Sequence, residues 1–458
     1  MPALPSVAVI GAGSSGIAAT KAMHAAGLAV TTYDKGERVG GNWVFGNVNG
    51  MSASYKTLHI NTSRERMAYS DFPMKASLPD FPHHTQIAAY FDDYVDHFGF
   101  RDRIVFGTGV EQAAPQPGGG WQLRLSDGGT AAYDALVVAN GHHWDARWPE
   151  PAFPGADTFP GVQMHAHSFT DNTGWAGKRV LVLGMGNSAM DIAVEASWVA
   201  ERTILAARTP AHVLPKYVFG RPLDTLQQGA VARLPWRLRQ AATAAIVKAA
   251  VGSYATYGLR EPEHGIFQAH PTISDNILSR LSHGAIAVKP TIDSFDGSTV
   301  VFADGTREEV DVVVYCTGYK ISFPFLDAEV LAAPDNQVGL FARVFPLPEP
   351  GRPVPALAVV GLVQPLGAIM PLAEEQGLLV ADWLRGRYAL PAPAEMAAEV
   401  QRHLAEVRDR YVGSKRHTIQ VDFDSYLHDL QVERRRGRKR AAAAGYPLPV
   451  PGRQPAAA

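Results

Sequence analysis

Val7-Ala8-Val9-Ile10-Gly11-Ala12-Gly13-Ser14-Ser15-Gly16 decides the fold. A short β-branched run ends in GxGxxG, the stretch from Ile17 to Ala26 reads as helix, and a second apolar run from Leu28 to Tyr33 ends in Asp34. Glycines at this spacing allow a tight turn from strand to helix and let the backbone approach a pyrophosphate at the helix N-terminus. Asp34 is placed to accept hydrogen bonds from a ribose, which predicts a dinucleotide whose ribose carries free hydroxyls.

A second fingerprint follows about 170 residues later: Arg179-Val180-Leu181-Val182-Leu183-Gly184-Met185-Gly186-Asn187-Ser188-Ala189. Its third small position is alanine, and the next strand, Thr203 to Ala207, ends in Arg208 where an acid would suit a free ribose. An arginine there suits a 2′-phosphate, hence NADP. The halves match further. Trp121 to Gly141 reads as strand, Asp127-Gly128-Gly129 turn, strand, then a closing run that starts at Asp134. Thr299 to Gly318 reads as strand, Asp304-Gly305 turn, then a closing run from Asp311. In each closing run the glycine follows the aspartate by seven positions, so the companions recur at nearly the same offset from each fingerprint.

The 458 residues are enough for two or three domains with sizeable cores. With 42 basic and 44 acidic side chains the net charge is −2, which argues against a general nucleic-acid binder. Cys316 is the single cysteine, so an intramolecular disulfide, a CxxC redox pair and a thiolate metal cluster are excluded. There is no HExxH, no GxSxG elbow and no Walker A lysine pattern. The loop histidines His142, His143, His165 and His167 match no standard ligand spacing, and no metal site is expected. Asn61-Thr62-Ser63 fits a glycosylation sequon but stands without a secretion signal, so a cytoplasmic protein is expected.

In chain order the sequence predicts an α/β protein with two Rossmann-like dinucleotide-binding domains, the second, NADP-type domain inserted into the first. The expected boundaries are 1–170 for the first part of the outer domain, which the resemblance described below makes the FAD domain, and 171–289 for the NADPH domain, with a helical insertion at about 215–263. The outer domain is expected to resume over 290–440, before a disordered Ala- and Pro-rich tail over 441–458. Leu234 to Val251 is amphipathic and carries Arg237, Arg239 and Lys248, which predicts a surface helix and no membrane anchor. Helices are also expected over Leu372 to Arg387 and Pro393 to Val412. The basic run Arg434, Arg435, Arg436, Arg438, Lys439 and Arg440 reads as a solvated helix end. Ligands of open α/β sheets lie at the carboxyl ends of the strands, so the chemistry is expected between the domains, where two cofactors meet in hydride transfer.

These residues resemble the bacterial flavin-containing monooxygenases, a class B flavoprotein family, from about Val7 to Leu390. The first fingerprint matches the FAD site, and Val39-Gly40-Gly41-Asn42-Trp43 matches the GGxW turn. Leu58-His59-Ile60-Asn61-Thr62-Ser63 and Met67-Ala68-Tyr69-Ser70-Asp71-Phe72-Pro73 match the next block. The identifying motif FxGxxxHxxx followed by an aromatic is Phe159-Pro160-Gly161-Val162-Gln163-Met164-His165-Ala166-His167-Ser168-Phe169. His270-Pro271-Thr272, Thr317-Gly318-Tyr319 and the run Gly361 to Gly367 extend the match. Phe169 in place of Trp favours amine and sulfide oxygenases over the Baeyer–Villiger group. Thr170, Asp34 and Tyr315-Cys316 also depart from the usual residues, without removing a group the chemistry needs.

The resemblance implies NADPH- and FAD-dependent insertion of one oxygen atom from O2 into an amine nitrogen or sulfide sulfur through a C4a-hydroperoxyflavin, as in N,N-dimethylaniline monooxygenase activity. The alternatives are Baeyer–Villiger oxygenation of a ketone, a flavin reductase or oxidase that releases H2O2, and, more distantly, a cofactor-binding redox sensor. For FAD it implies Gly11, Gly13, Gly16, Asp34, Lys35, Trp43, His59, Asn61, Thr62 and Gln364. For NADP it implies Gly184, Gly186, Asn187, Ser188, Arg208 and Thr209. Asn61 is the implied catalytic residue. Partners are a small amine or sulfide and O2, with a homodimer left open.

Overall fold

The computed structural model describes residues 3–46, 49–227, 235–348, 354–411, 413 and 418–450. The chain divides into two compact units. The first comprises the residues up to Ser52, Arg64–Trp144 and the chain from Lys320 onward, and the second comprises Ala53–Ser63 and Asp145–Tyr319.

Ten strands, in chain order, build the two parallel sheets. They are β1 (Ser6–Ile10), β2 (Ala29–Tyr33), β3 (Ile104–Val105), β4 (Ala135–Val138), β5 (Val162–His165), β6 (Arg179–Leu183), β7 (Arg202–Ala206), β8 (Ala287–Lys289), β9 (Val312–Tyr315) and β10 (Ala356–Val359). The first unit's sheet has the order β10-β4-β1-β2-β3 and the second unit's the order β5-β9-β6-β7-β8. Every pair in both is parallel. Fingerprint strand, following strand and closing strand therefore occupy the same positions in both units. Their central strands are buried apolar runs, as two-faced burial by crossover helices requires.

Each unit repeats a second element. Val110–Pro115, Trp121–Leu125 and Thr130–Tyr133 form an antiparallel three-stranded sheet in the first unit, and Ile292–Asp296, Thr299–Phe302 and Arg307–Glu309 form one in the second. Asp127 Oδ1 accepts from Gly129 N at 2.8 Å in one turn, and Asp304 Oδ1 accepts from Thr306 N at 3.0 Å in the other, so both aspartates act as turn formers. Trp121 is fully buried and its Nε1 donates to the Ala356 carbonyl at 3.0 Å, which ties the first meander to β10.

The unit boundaries differ from the expected 170/171 and 289/290. The expected boundaries divide Val162–Gly318, yet β5 pairs with β9 and β9 with β6, so these strands close the second unit's sheet. The physical reason is that the closing strand must hydrogen-bond beside its own fingerprint strand. The chain returns to the first unit only at Lys320.

The expectation of a disordered tail from 441 fails over the described part. A helix runs Phe423–Ala443, Ala441 is fully buried, and Tyr446 N donates to the Ala441 carbonyl at 2.8 Å. Alanine is the best helix former, and here it extends a helix already packed on the first unit. Residues 451–458 lie outside the described residues. Nor is the basic run simply solvated: Arg434 Nε and Arg438 Nη2 reach Asp382 at 2.6 and 2.8 Å, and Arg440 donates to Glu433 at 2.5 Å. The other expected helices run Met370–Leu384, Pro393–Arg410 and Trp236–Val251. The last buries Arg239, Thr243, Val247 and Val251, a stripe of every fourth residue, with 228–234 before it outside the described residues.

Candidate active site

The first glycine cradle is set by three close approaches. Gly11 has φ +102°, and a Cβ there would lie 2.6 Å from the Ala139 carbonyl oxygen; one on Gly16 would lie 1.8 Å from that of Gly11. A Cβ on Gly41, at φ +52°, would lie 2.9 Å from Gly13 Cα, so the GGxW turn closes directly over the fingerprint. No side chain larger than hydrogen fits these positions. Helix α1 (Ser14–Ala25) starts at Gly13 with no side-chain cap, which leaves its first N–H groups for an anion.

Asp34 stands at the end of β2 and binds the cradle itself. Oδ2 accepts from Ala12 N and Oδ1 from Gly36 N, each at 2.6 Å. Burial raises its pKa, opposed by these two bonds. A carboxylate offers about four acceptor sites, so capacity remains for a ribose. Lys35 is exposed with its stem beside Gly109, and Trp43 is half-buried in the Gly41–Trp43 turn. Gln364 opens a short strand beside Gln420, and its N–H donates to the Ile419 carbonyl at 2.8 Å. Just before it, a Cβ on Gly361 would lie 2.0 Å from Ser15 Oγ, so this turn lies against the first turn of α1.

In the second unit Gly184 has φ +142°, and a Cβ there would meet the Cys316 carbonyl oxygen at 2.8 Å. Helix α2 (Asn187–Val199) starts at Gly186, again without a side-chain cap. Asn187 Oδ1 accepts from Ile273 N at 2.8 Å, so that side chain holds the short strand Thr272–Ile273, and Ser188 lies half-buried in the first turn. Arg208 and Thr209 are exposed just past β7, and Arg208 has no ion pair among the described residues. Both cradles thus fit a dinucleotide: close backbone approaches at the glycines, helix N-termini without side-chain caps, an acid after the first and, after the second, a guanidinium with no ion pair among the described residues.

Sequence reading grouped His59, Asn61 and Thr62 with the FAD set; the structure places Ala53–Ser63 in the second unit with the NADP set. His59 is exposed with Nδ1 2.8 Å from the Thr57 carbonyl, and Thr62 is buried. Asn61 is half-buried, and its amide makes no hydrogen bond to any described residue. A turn asparagine bonded to its own backbone would not look like this.

The motif Phe159 to Phe169 is structural at both ends. A Cβ on Gly161 would lie 2.4 Å from the Asp311 carbonyl oxygen, and Val162 N donates to that oxygen at 2.9 Å, so the glycine lets β5 join the sheet. His165 is 1% exposed; burial pushes it down to about 4, and neutral Nδ1 accepts from His167 N at 3.0 Å. His142 and His143 belong to the first unit, and His165 and His167 to the second. Among the described residues no group of three His, Cys, Asp or Glu could hold a metal, and no helix is long and apolar enough to cross a membrane.

The flavin-binding monooxygenase-like (FMO-like) family model matches residues 5–435. The chain belongs to this family. It is a monooxygenase enzyme with FAD and NADPH as cofactors. Human flavin-containing monooxygenase 5 is 34% identical over 439 residues, covering 93% of this chain and 81% of its own. Rat N-oxide-forming dimethylaniline monooxygenase 2 is 34% identical over 445 residues, covering 93% and 82%. Among solved structures, the S-allyl-L-cysteine S-oxygenase of Allium sativum superposes with TM-score 0.70 at 24% identity, over 96% of this chain and 93% of that one. An open cyclohexanone monooxygenase gives TM-score 0.69 at 20% identity, over 97% and 98%. These two likenesses establish the fold of the monooxygenase, while the family model and the mammalian relatives establish its membership.

Sequence reading missed Tyr55, Asp191 and Lys216. Tyr55 Oη donates to the Asp191 carboxylate, and Lys216 Nζ donates to the Ile60 carbonyl at 3.2 Å. The one available signal was Asp191, four residues after Asn187 and so on the same helix face as the fingerprint.

Proposed function

We propose that the enzyme transfers one oxygen atom of O2 to a soft nucleophile, an amine nitrogen or a sulfide sulfur, while the other leaves as water and NADPH supplies the electrons. When bound, FAD and NADPH supply the redox chemistry, reduction of the flavin and activation of dioxygen. The protein's own work is binding, orientation and exclusion of water. Gly11, Gly13 and Gly16 with the α1 N-terminus hold one pyrophosphate, and Asp34 the ribose beside it; Gly184, Gly186 and the α2 N-terminus hold the other. Arg208 and Thr209 take the 2′-phosphate. Asn61 offers an unbonded amide as a donor, and once bound cofactors and substrate exclude water such a fixed dipole is worth more than in solvent.

The free Asn61 amide on a firmly tied segment is the observation that carries this reading. The substrate class draws on Phe169 at the end of the identifying motif and on the N-oxide-forming relative. No acid–base group directed at substrate is needed, because the nucleophile attacks with its own lone pair. We also take the enzyme to act in the cytoplasm on small molecules, with a homodimer as the form to test by light scattering. The test of function offers N,N-dimethylaniline, trimethylamine, thioethers, indole and simple ketones with labelled O2. N- or S-oxides carrying one labelled atom support the reading. Lactones or esters from ketones alone would replace it with Baeyer–Villiger chemistry, and peroxide without product would leave a flavin oxidase.

A further inference from the structure

Hydrogen bonds among the described residues tie the segment Ala53–Ser63 into the second unit. Tyr55 Oη donates to Asp191, Lys56 N donates to the Thr170 carbonyl at 2.8 Å, Lys216 Nζ donates to the Ile60 carbonyl at 3.2 Å, and Ser63 N donates to Asp224 Oδ2 at 2.7 Å. The bonds bracket Asn61, whose own amide is left unbonded. Two are made by ionisable side chains that have given up water for them: Tyr55 is 6% exposed, and burial lowers the Lys216 pKa against the pull of Asp191 and Asp275. A half-buried ammonium that donates to the backbone carbonyl immediately before Asn61 fixes the chain at that point, at some cost in desolvation.

Asp191 lies on α2, the helix that starts after Gly186 and whose uncapped N-terminus the proposed function assigns to the NADP pyrophosphate. Cys316, whose carbonyl abuts Gly184, neighbours the same carboxylate, and Asp191 helps hold its thiol in the neutral form. One rigid helix thus serves two tasks at different places along its length. We propose that Tyr55, Asp191 and Lys216 form a clamp by which the NADP-binding helix positions Asn61. These are positioning residues for the monooxygenase reaction, acting through Asn61 and touching neither oxygen nor substrate. The proposal rests on the role given to Asn61 above. It explains why that asparagine travels with the second fingerprint when its neighbours in sequence, up to Ser52 and from Arg64, belong with the first.

The test compares holoenzyme carrying Tyr55→Phe, Lys216→Met, Asn61→Ala and each double variant with Asn61→Ala. Three quantities are read: hydride transfer from NADPH, the fraction of NADPH that ends as H2O2 in the presence of substrate, and melting temperature. Tyr55→Phe and Lys216→Met should each raise the peroxide fraction about threefold to tenfold, the effect of one lost hydrogen bond, with NADPH reduction within about twofold of wild type. In the Asn61→Ala background neither should raise it further, because residues acting through one group are not additive. A merely structural loss would lower the melting temperature and hydride transfer together and would add to Asn61→Ala. If one clamp variant does not fold, the other decides. Uncoupling by Asn61→Ala with none from the clamp variants, or fully additive effects, overturns the clamp while leaving Asn61 its role. Full coupling in Asn61→Ala overturns both.

Discussion

Arg179 and Asp311 make in the second unit the bond that Ser6 and Asp134 make in the first. Arg179 N donates to Asp311 Oδ2 at 2.8 Å, as Ser6 N does to Asp134 Oδ2 at 2.8 Å, and Asp311 N and Asp134 N donate back to the carbonyls at 2.9 and 3.1 Å. In both units the aspartate just before the closing strand pins the start of the fingerprint strand. The second unit adds the guanidinium, with Nε at 3.0 Å and Nη2 at 2.8 Å from the carboxylate. Asp311 also supplies the carbonyl that admits Gly161, so one residue joins fingerprint, closing strand and identifying motif.

Asp311→Asn should therefore destabilise the second unit. The side-chain bonds to Arg179, then its N–H, hold the Asp311 carboxyl down to about 2. A depressed carboxyl contributes stability that is present above the unfolded value near 4 and lost as pH falls toward 2. The pair is partly exposed, so the effect is discounted for solvent screening: the melting temperature should drop by about 2–4 °C at pH 7. The difference from wild type should close between pH 4 and 2. A gap that stays constant with pH would mean the loss is packing and not charge.

Asp34→Ala should release FAD more readily than loss of a ribose contact alone would suggest, because the carboxylate also fixes Ala12 and Gly36. Loss of charge-assisted bonds of about 1.5–3 kcal/mol corresponds to roughly 10- to 150-fold weaker retention. Asp34→Asn, which can replace one acceptor but not both, should fall between. Flavin absorbance retained after ultrafiltration measures this. Equal retention by all three proteins would remove Asp34 from the cofactor site.

Arg208→Ala should cost NADPH affinity about 1.5–3 kcal/mol, roughly 10- to 150-fold, with little change for NADH. The exposed guanidinium has no ion pair among the described residues, so its removal leaves no buried carboxylate behind. Rates of flavin reduction by each nucleotide in wild type and variant decide it. An equal loss for both would show that Arg208 does not read the 2′-phosphate.

Both cradles were legible from glycine spacing, because a Cβ at Gly11, Gly16 or Gly184 meets backbone within a few residues of the fold's own turn or closing strand. Asp134 and Asp311 were visible as a repeat but not as pins, since their partners lie 128 and 132 positions away. The unit boundaries were less legible. The strand that fixes them, β5, is short and half-exposed, with none of the apolar run that marks β6 or β9. Asn61 was found through its motif, yet its place in the second unit depends on Tyr55 meeting Asp191 across 136 positions, which no local pattern encodes. The Ala-rich tail misled because composition suggests disorder until a packed helix precedes it.

Asp191→Asn gives the last prediction, with the opposite sign to Asp311→Asn. Asp191 keeps some accessible surface, but protein surrounds its carboxylate, and burial pushes it up to about 6 from 3.8. The facing groups divide: the Tyr55 hydroxyl and the Lys216 ammonium favour the charged form, while Glu195 disfavours it and the Cys316 thiol stays neutral. Burial outweighs the two favourable partners. A raised carboxyl binds its proton more tightly folded than unfolded, so its stability contribution is complete below pH 4 and is lost as pH rises through 6. Asparagine does not titrate and still offers an oxygen to Tyr55. Wild type should therefore lose stability relative to Asp191→Asn between pH 4 and 6.5, by at most about 3 kcal/mol, or 1.4 per pH unit over two units. Above pH 7 the difference should be flat. Chemical denaturation at pH 4, 5, 6 and 7 measures it. A difference that grows in favour of wild type as pH rises would mean that Tyr55 and Lys216 together outweigh burial and hold the carboxylate charged.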